Sequence, residues 1–454
     1  MVSRLSRWSG LAAILVTAAA ADAAAQDPVP SGALAIISAL RGDSVPQVTL
    51  TEAIDLANRV QPTVVQARGQ IRTAESQKKV AVGAWLPSVN ATSSGGYSYS
   101  EGTRTDPITQ EVVLGNTESQ SVAVGFSANY EVFTGFRRGA DKRAANAGIA
   151  AAEAGFVNAS YQQRLTTTNQ YLAALAARQL VTVRESSLRR AEEQLRAAVA
   201  RLHAGSATRS DSLRSLVQVG NAQVALVNTL SDLQAAEAQL GRLIGVQGRA
   251  RAADDSAFYR VTAAVDTVAL RTEARSAAPQ VQSAEAQRDQ AKAQLSASKS
   301  AYWPTVNLNG AWNYTGSDRN DYQLFNARQV TLGLTWPLFN RFQRERNIDL
   351  QRVAFDNAES QALDVARQVD AELSAQLGQL DATRLRIAIS QTNLAAAQED
   401  LRVQAERYRL GASTLIEVLT SQEALNQAEV DAVTARFDYL RAKAQVEAII
   451  GRPL

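Results

Sequence analysis

The chain is written twice, and that duplication limits what it can fold into. A shift of 206 positions lays Phe133–Gly245 on Phe339–Gly451 without a gap, matching Phe136 with Phe342, Arg138 with Arg344, Leu188 with Leu394, Gly205 with Gly411 and Leu213 with Leu419. Upstream, a shift of 217 matches Pro62 with Pro279, Gln77 with Gln294, Pro87 with Pro304 and Asn90 with Asn307. The two shifts differ by eleven residues, and the difference falls between Pro87 and Phe133, which marks a loop that tolerated insertion. Two copies are fewer than a solenoid needs, so the pattern predicts one pseudo-symmetric architecture. The expected division is a first repeat over 49–250, a linker over 251–266 and a second repeat over 267–451.

The N-terminus has its own logic. Arg4 and Arg7 precede an apolar run from Leu11 to Ala20, and Ala23-Ala24-Ala25 offers a small-residue cleavage site before Gln26. This reads as a secretory signal peptide over 1–25, followed by an extension over 26–48. The formal charge of +3, with Arg mixed evenly among Glu and Asp, gives no footprint for nucleic acid. There is no cysteine, which rules out disulfides, and no later run of 18 apolar residues to make a spanning helix. A place in a membrane would require strands.

The ten prolines avoid Ile108–Ala278 and Leu338–Arg452, which leaves two long tracts free of the residue that breaks helices. Those tracts are rich in Ala, Leu, Gln, Glu and Arg, all good helix formers. Leu373, Leu380, Ile387, Leu394, Leu401 and Tyr408 fall seven apart, as do Val181, Leu188, Leu195 and Leu202 in the first copy. A second heptad follows each break: Val219, Leu226, Leu233 and Leu240, then Leu425, Ala432, Tyr439 and Val446. A sustained seven-residue period implies supercoiled helices, and Ala140–Leu202 alone would span ~95 Å. Gly205 and Gly411 stop these helices, and the Ser and Thr that follow offer caps for the next ones. Each copy therefore ends in a long helical hairpin, and its bend is the natural place for a partner to touch.

Between the tracts lie alternating, aromatic-rich stretches at 88–100, 120–133, 305–316 and 328–337, joined by loops at 101–119 and 317–327. Each is about ten residues long, the length of a tilted strand across a bilayer. They give hairpins at about 88–133 and 305–339. Tyr302, Trp303, Tyr322, Phe325, Trp336 and Phe339 gather near the strand ends, as in an interfacial girdle. A small soluble sheet is the competing expectation. Four strands cannot close a membrane barrel, and open edges are not tolerated in lipid, so strands in a membrane require several chains to share one barrel.

These pieces resemble the TolC-like outer-membrane efflux proteins over nearly the whole mature chain. The resemblance rests on the duplication, on the opening run Val48–Ala57 with Thr49 and Glu52 at capping-box spacing, and on the second tip, Tyr408–Leu419. It implies a mainly α fold with a small membrane β part. Three chains would give one twelve-stranded outer-membrane β-barrel and a hollow periplasmic α-barrel. It further implies a passive exit duct for a tripartite efflux pump or type I secretion system. The implied partners are outer-membrane lipid, a periplasmic adaptor docked at the tips and an inner-membrane pump of RND, ABC or MFS type. A periplasmic coiled-coil scaffold outside the membrane is the alternative.

The resemblance also assigns a gate at the tips. Asp211 and Tyr408 match the acidic and tyrosine gate positions, and Glu417 matches one of the carboxylates ringing the constriction. Ser413 stands where an arginine is usual and Thr420 where a second carboxylate is usual; Arg209 or Arg214 could supply the missing cation. Equally, Asp211 and Glu417 can be read as first-turn acids favoured at helix starts. His203, the single histidine, sits beside the first bend and reads as a surface residue. With no cysteine and one histidine, the sequence offers no cofactor site, His/Cys metal site or His-based triad. No phosphate-binding or nucleophile-elbow string occurs either. The chain reads as no enzyme, and its cargo is not legible.

Overall fold

Two helices of 67 residues, ~100 Å each, dominate the structure, a computed structural model that describes residues 45–105, 108, 110–254 and 267–454. The expected signal peptide, most of the N-terminal extension and residues 255–266 of the expected linker lie outside the described residues. In chain order come β1 (Gln47–Val48), α1 (Leu50–Val60), α2 (Pro62–Gly83), β2 (Ser88–Thr105), β3 (Val112–Phe133), α3 (Arg137–His203) and α4 (Arg209–Ile244). Then follow β4 (Arg251–Ala252), α5 (Thr267–Ala277), α6 (Pro279–Ser298), β5 (Thr305–Ser317), β6 (Phe325–Thr335), α7 (Gln343–Arg409) and α8 (Leu415–Ile450). The fold is mainly helical with a four-stranded β part, as the sequence predicts.

The two helical hairpins, α3–α4 and α7–α8, match residue for residue in length: each long helix has 67 residues and each returning helix 36. Both bends are closed by the same backbone device. Gly205 (φ +74°) and Gly411 (φ +79°) adopt the left-handed conformation. The next amides, of Ser206 and Ala412, donate to Arg201 and Arg407 carbonyls at 2.9 and 2.8 Å, a Schellman stop. Capping boxes then start the returning helices, Thr208 with Asp211 and Thr414 with Glu417. The heptad residues Val181, Leu188, Val219 and Leu226 are buried, as are Leu373, Leu380, Leu425 and Val446. Nearer the bends Leu195, Leu202, Leu394 and Leu401 become half-exposed, so the packing thins toward the tips.

The returning helices cover only the lower half of the long ones. The other half packs against α2 in the first copy and α6 in the second. At the changeover α1, β1 and β4 press onto α3, burying Tyr171, Leu175, Leu240 and Phe437 together. The Tyr171 hydroxyl lies 2.7 Å from the Ala253 carbonyl and 3.2 Å from that of Val48, which ties the short β1–β4 pair to α3. Beside it Glu237, 3% exposed, bonds Arg178 at 2.9 Å, with Arg251 and Arg249 at 3.8 and 3.9 Å.

The strands form one antiparallel sheet in the order β2-β3-β5-β6, so the two copies meet at β3–β5. The hairpin registers are equivalent: Ser88 faces Asn129 and Thr305 faces Thr335, positions related by the two repeat shifts. Side chains separate by face. Val124, Phe126, Leu308, Trp312, Leu332 and Leu334 share one side, and Asn90, Thr92, Ser127, Asn307, Asn309 and Thr331 share the other. This is the apolar-outside, polar-inside alternation of a membrane barrel wall. The expected loop at 101–119 is corrected: β2 and β3 continue to the Thr105–Val112 pair, giving strands of 18 and 22 residues. That stretch carries few large apolar residues, so periodicity misses it, but ladder pairing uses the backbone and needs none. The loop at 317–327 likewise shrinks to 318–324.

Candidate functional site: the helical tips and the strand–helix junctions

At the tips, the capping geometry absorbs both acids assigned to the gate. Asp211 accepts from the Thr208 amide at 3.1 Å and the Thr208 hydroxyl at 2.8 Å. Glu417 accepts from the Ser413 hydroxyl and from the Thr414 amide at 3.3 Å. Ser413 also lies 3.2 Å from Gln404 Oε1, and the Thr420 hydroxyl turns back to the Ile416 carbonyl at 2.9 Å. Arg209, Arg214 and His203 are exposed, and among the described residues Arg209 and Arg214 form no ion pair. Tyr408 is half-buried and carries no bond to Asp211 among the described residues. Instead Arg201, a residue that sequence reasoning passed over, donates from Nη1 to the Tyr408 carbonyl at 2.8 Å and lays its guanidinium 4.2 Å from the ring centre. A second arginine of α3, Arg190, grips α8 farther from the bend, meeting Glu429 at 2.6 and 3.1 Å and Asn426 at 2.9 Å.

The Ser413 hydroxyl, then the Thr414 amide, then the charge of Arg407 hold the Glu417 carboxyl below the ordinary glutamate value. A lowered pKa means that the carboxylate's support for this cap is complete above about pH 4.3 and fades as pH falls through the lowered value. Amide exchange at 414–418, corrected for intrinsic pH dependence, should therefore stay slow from pH 7 to 5 and accelerate below 4. Glu417→Gln should flatten that response.

The strand–helix junctions carry a device repeated in both copies. Arg138 donates to the Glu131 carbonyl, and its guanidinium lies 5.4 Å from the Trp85 ring and 5.2 Å from the Tyr130 ring. Its repeat mate Arg344 donates to the Pro337 carbonyl at 3.2 Å and sits 4.3 Å from the Tyr302 ring. Glu131/Pro337 and Trp85/Tyr302 are themselves mates under the two shifts. The pairing of Arg138 with Arg344 was visible in the sequence, but their aromatic seats were not, because each lies in a different segment of the chain.

Both junctions turn through two consecutive left-handed residues, Gly135–Phe136 and Arg341–Phe342. Glycine is required in the first copy, where a Cβ would come within 2.6 Å of Trp303 Cβ. The aromatics expected at the interface, Tyr302, Trp303, Trp336 and Phe339, are all exposed at this level, joined by Phe136 and Phe342. The Trp336 indole donates to the Tyr302 carbonyl at 3.2 Å, and Phe136 meets Trp303 edge-on at 5.5 Å. Among the described residues no helix is long and apolar enough to cross a membrane, and no group of three acids or histidines could hold a metal ion. The sheet is the element suited to lipid.

A duplicated chain with four barrel-patterned strands above two ~100 Å helical hairpins has the parts of an outer-membrane channel, and family comparison agrees. The chain belongs to the outer membrane efflux protein family, which matches residues 53–246 and 270–452. It is 24% identical over 436 residues to the outer membrane efflux protein BepC of Brucella suis, covering 94% of this chain and 91% of that one. It is 28% identical over 432 residues to the pyoverdine export outer membrane protein OpmQ of Pseudomonas aeruginosa, covering 90% and 84%. Among solved structures, the CmeC outer membrane channel of Campylobacter jejuni superposes with a TM-score of 0.75 at 16% identity, over 88% of this chain and 85% of that one. The protein is thus an outer-membrane protein of the efflux-channel class, which sets aside the scaffold outside the membrane.

Proposed function

We propose that three copies of this chain form one passive exit duct, which carries solutes from an inner-membrane pump and its periplasmic adaptor through the outer membrane. The observation that carries this reading is the sheet with two open edges. Within the chain, the copies meet where β3 pairs with β5; the equivalent edges β6 and β2 have no partner among the described residues. In hydrocarbon each unpaired backbone group costs several kcal/mol, so a further copy must complete the ladder. Repeating the β3–β5 contact around a ring closes twelve strands from three chains. The helical hairpins would then continue the wall below the membrane and bring Asp211, Tyr408, Ser413 and Glu417 to its periplasmic opening as a gate. Gly205 and Gly411 would present the bends to the adaptor.

The duplication fixes the register of the shared seam. Phe126 faces Trp312 within the chain. The two shifts turn this pair into Leu332 of one copy facing Gly95 of the next. The protein has no native cysteine, so Leu332→Cys with Gly95→Cys gives a clean test. Oxidation or a short bis-maleimide in outer membranes should yield a covalent trimer, while Leu332→Cys with Gly96→Cys should not, because one residue's slip moves the side chain to the other face. A monomer under both conditions would reject the shared barrel.

A further inference from the structure

Where β6 leads into α7, the exposed apolar stripe of Val330, Leu332 and Leu334 continues at the same spacing to Trp336. Trp336 is one wall of an open cavity of about 440 Å³, whose remaining lining is Lys299, Tyr302, Trp303, Ile348 and Arg352. The cavity therefore sits at the periplasmic rim of the lipid-facing stripe, the depth at which Trp and Tyr gather and headgroups lie. Its volume falls in the range of small-ligand clefts, ~300–1,000 Å³.

The walls are held in place before any ligand arrives. The Trp336 indole donates to the Tyr302 carbonyl, Arg344 covers the Tyr302 ring, and Trp303 rests edge-on against Phe136. Ile348, 5% exposed, makes an apolar floor. Glu345 engages Arg344 at 2.6 Å, which leaves Lys299 and Arg352 to set the charge of the cavity. Lys299 is exposed and forms no ion pair among the described residues. Arg352 meets Asp349 at 3.6 Å, with both side chains more than half exposed, so that contact is weak. Two cations against one carboxylate leave a surplus of one positive charge beside an apolar stripe. Neither cation belongs to the duplicated frame, since their repeat mates are Val82 and Asn146.

The geometry points to a binding site for one anionic phospholipid of the periplasmic leaflet. Its phosphodiester lies between the Lys299 ammonium and the Arg352 guanidinium, and its acyl chains follow Trp336, Leu334 and Leu332 along the sheet. A free phosphate meets the same cations but gains nothing from the stripe. A zwitterionic headgroup brings its own cation into a site that already has a positive surplus. The bound lipid ties the start of α7 to the membrane surface. This assignment rests on the outer-membrane location of the chain and not on the shared ring.

Native mass spectrometry of the detergent-solubilised protein tests it, with phosphatidylglycerol, phosphatidylcholine and inorganic phosphate as the probes. Wild type should retain one phosphatidylglycerol per chain at concentrations where phosphatidylcholine is lost, and an excess of inorganic phosphate should not displace it. Lys299→Ala with Arg352→Ala should weaken that retention about tenfold, since each cation near an anionic lipid surface contributes to the attraction. Lys299→Arg with Arg352→Lys should keep it. Lys142→Ala with Arg143→Ala removes two exposed cations from the matching turn of α3, outside this cavity, and should leave it unchanged. Equal retention of the two lipids, an unaffected Lys299/Arg352 alanine variant, an equal loss in the Lys142/Arg143 variant or displacement by inorganic phosphate overturns the lipid site. Retention is counted per chain, so it reads the same whether or not the Leu332→Cys/Gly95→Cys cross-link reports a shared ring.

Discussion

Arg138→Ala is expected to destabilise the strand–helix junction by about 3–5 kcal/mol, from the loss of two shielded cation–π contacts and one charge-assisted hydrogen bond. The side chain is 5% exposed, so water cannot replace these partners, and the Glu131 carbonyl is left without its donor. Arg138→Lys should recover little, since an ammonium cannot lie between the Trp85 and Tyr130 rings and also reach that carbonyl with a planar fork. The check is the thermal loss of β-structure, followed by circular dichroism on the detergent-solubilised protein. Arg344→Ala gives up one ring, the bond to the Pro337 carbonyl and an ion pair with the adjacent, more exposed Glu345, and should cost less. A wild-type transition for Arg138→Ala would show that the junction holds without its clamp.

Glu237→Ala is expected to be of similar size, about 3–5 kcal/mol, because deleting one partner of a buried pair leaves uncompensated charge. Three arginines converge on this carboxylate, and Arg178 also holds the Ala252 carbonyl at 2.9 Å, so the loss should spread to the β1–β4 pair. The readout is local. Trypsin should cut after Arg249 and Arg251 far faster in Glu237→Ala than in wild type, while the tips keep their native resistance. Glu237→Gln should fall between the two, retaining a hydrogen bond to Arg178 without the charge. Equal cleavage in all three proteins would remove Glu237 from the account of this region.

How far the fold was legible follows from the signals involved. Heptads such as Val181–Leu188 and Leu373–Leu380 announce long paired helices because burial on one seam needs apolar residues at a fixed period. Val330, Leu332 and Leu334 likewise declare a strand with one face in lipid. The upper part of the β2–β3 hairpin stayed hidden, because Gly102, Thr103 and Asn116 leave no apolar rhythm while the backbone ladder continues through them. At the tips Asp211 and Glu417 are absorbed into capping boxes, and the contacts between the hairpins of one chain run through Arg201 and Arg190. Nothing in the composition of α3 singles out two of its many arginines. Only the fold shows which ones lie opposite a tyrosine and a glutamate more than 200 positions away.

The unpaired strand edges also bear on how the protein is born. Among the described residues β6 alone offers eleven residues with one side of the ladder unmet, and β2 offers the opposite edge. In the shared barrel proposed above, a newly exported copy cannot enter hydrocarbon by itself, and dilute and bare in water it is exposed to pairing with the wrong strand. Insertion must therefore depend steeply on the local abundance of fresh copies, so a cell that makes few of them needs an escort to shield those edges until enough have gathered.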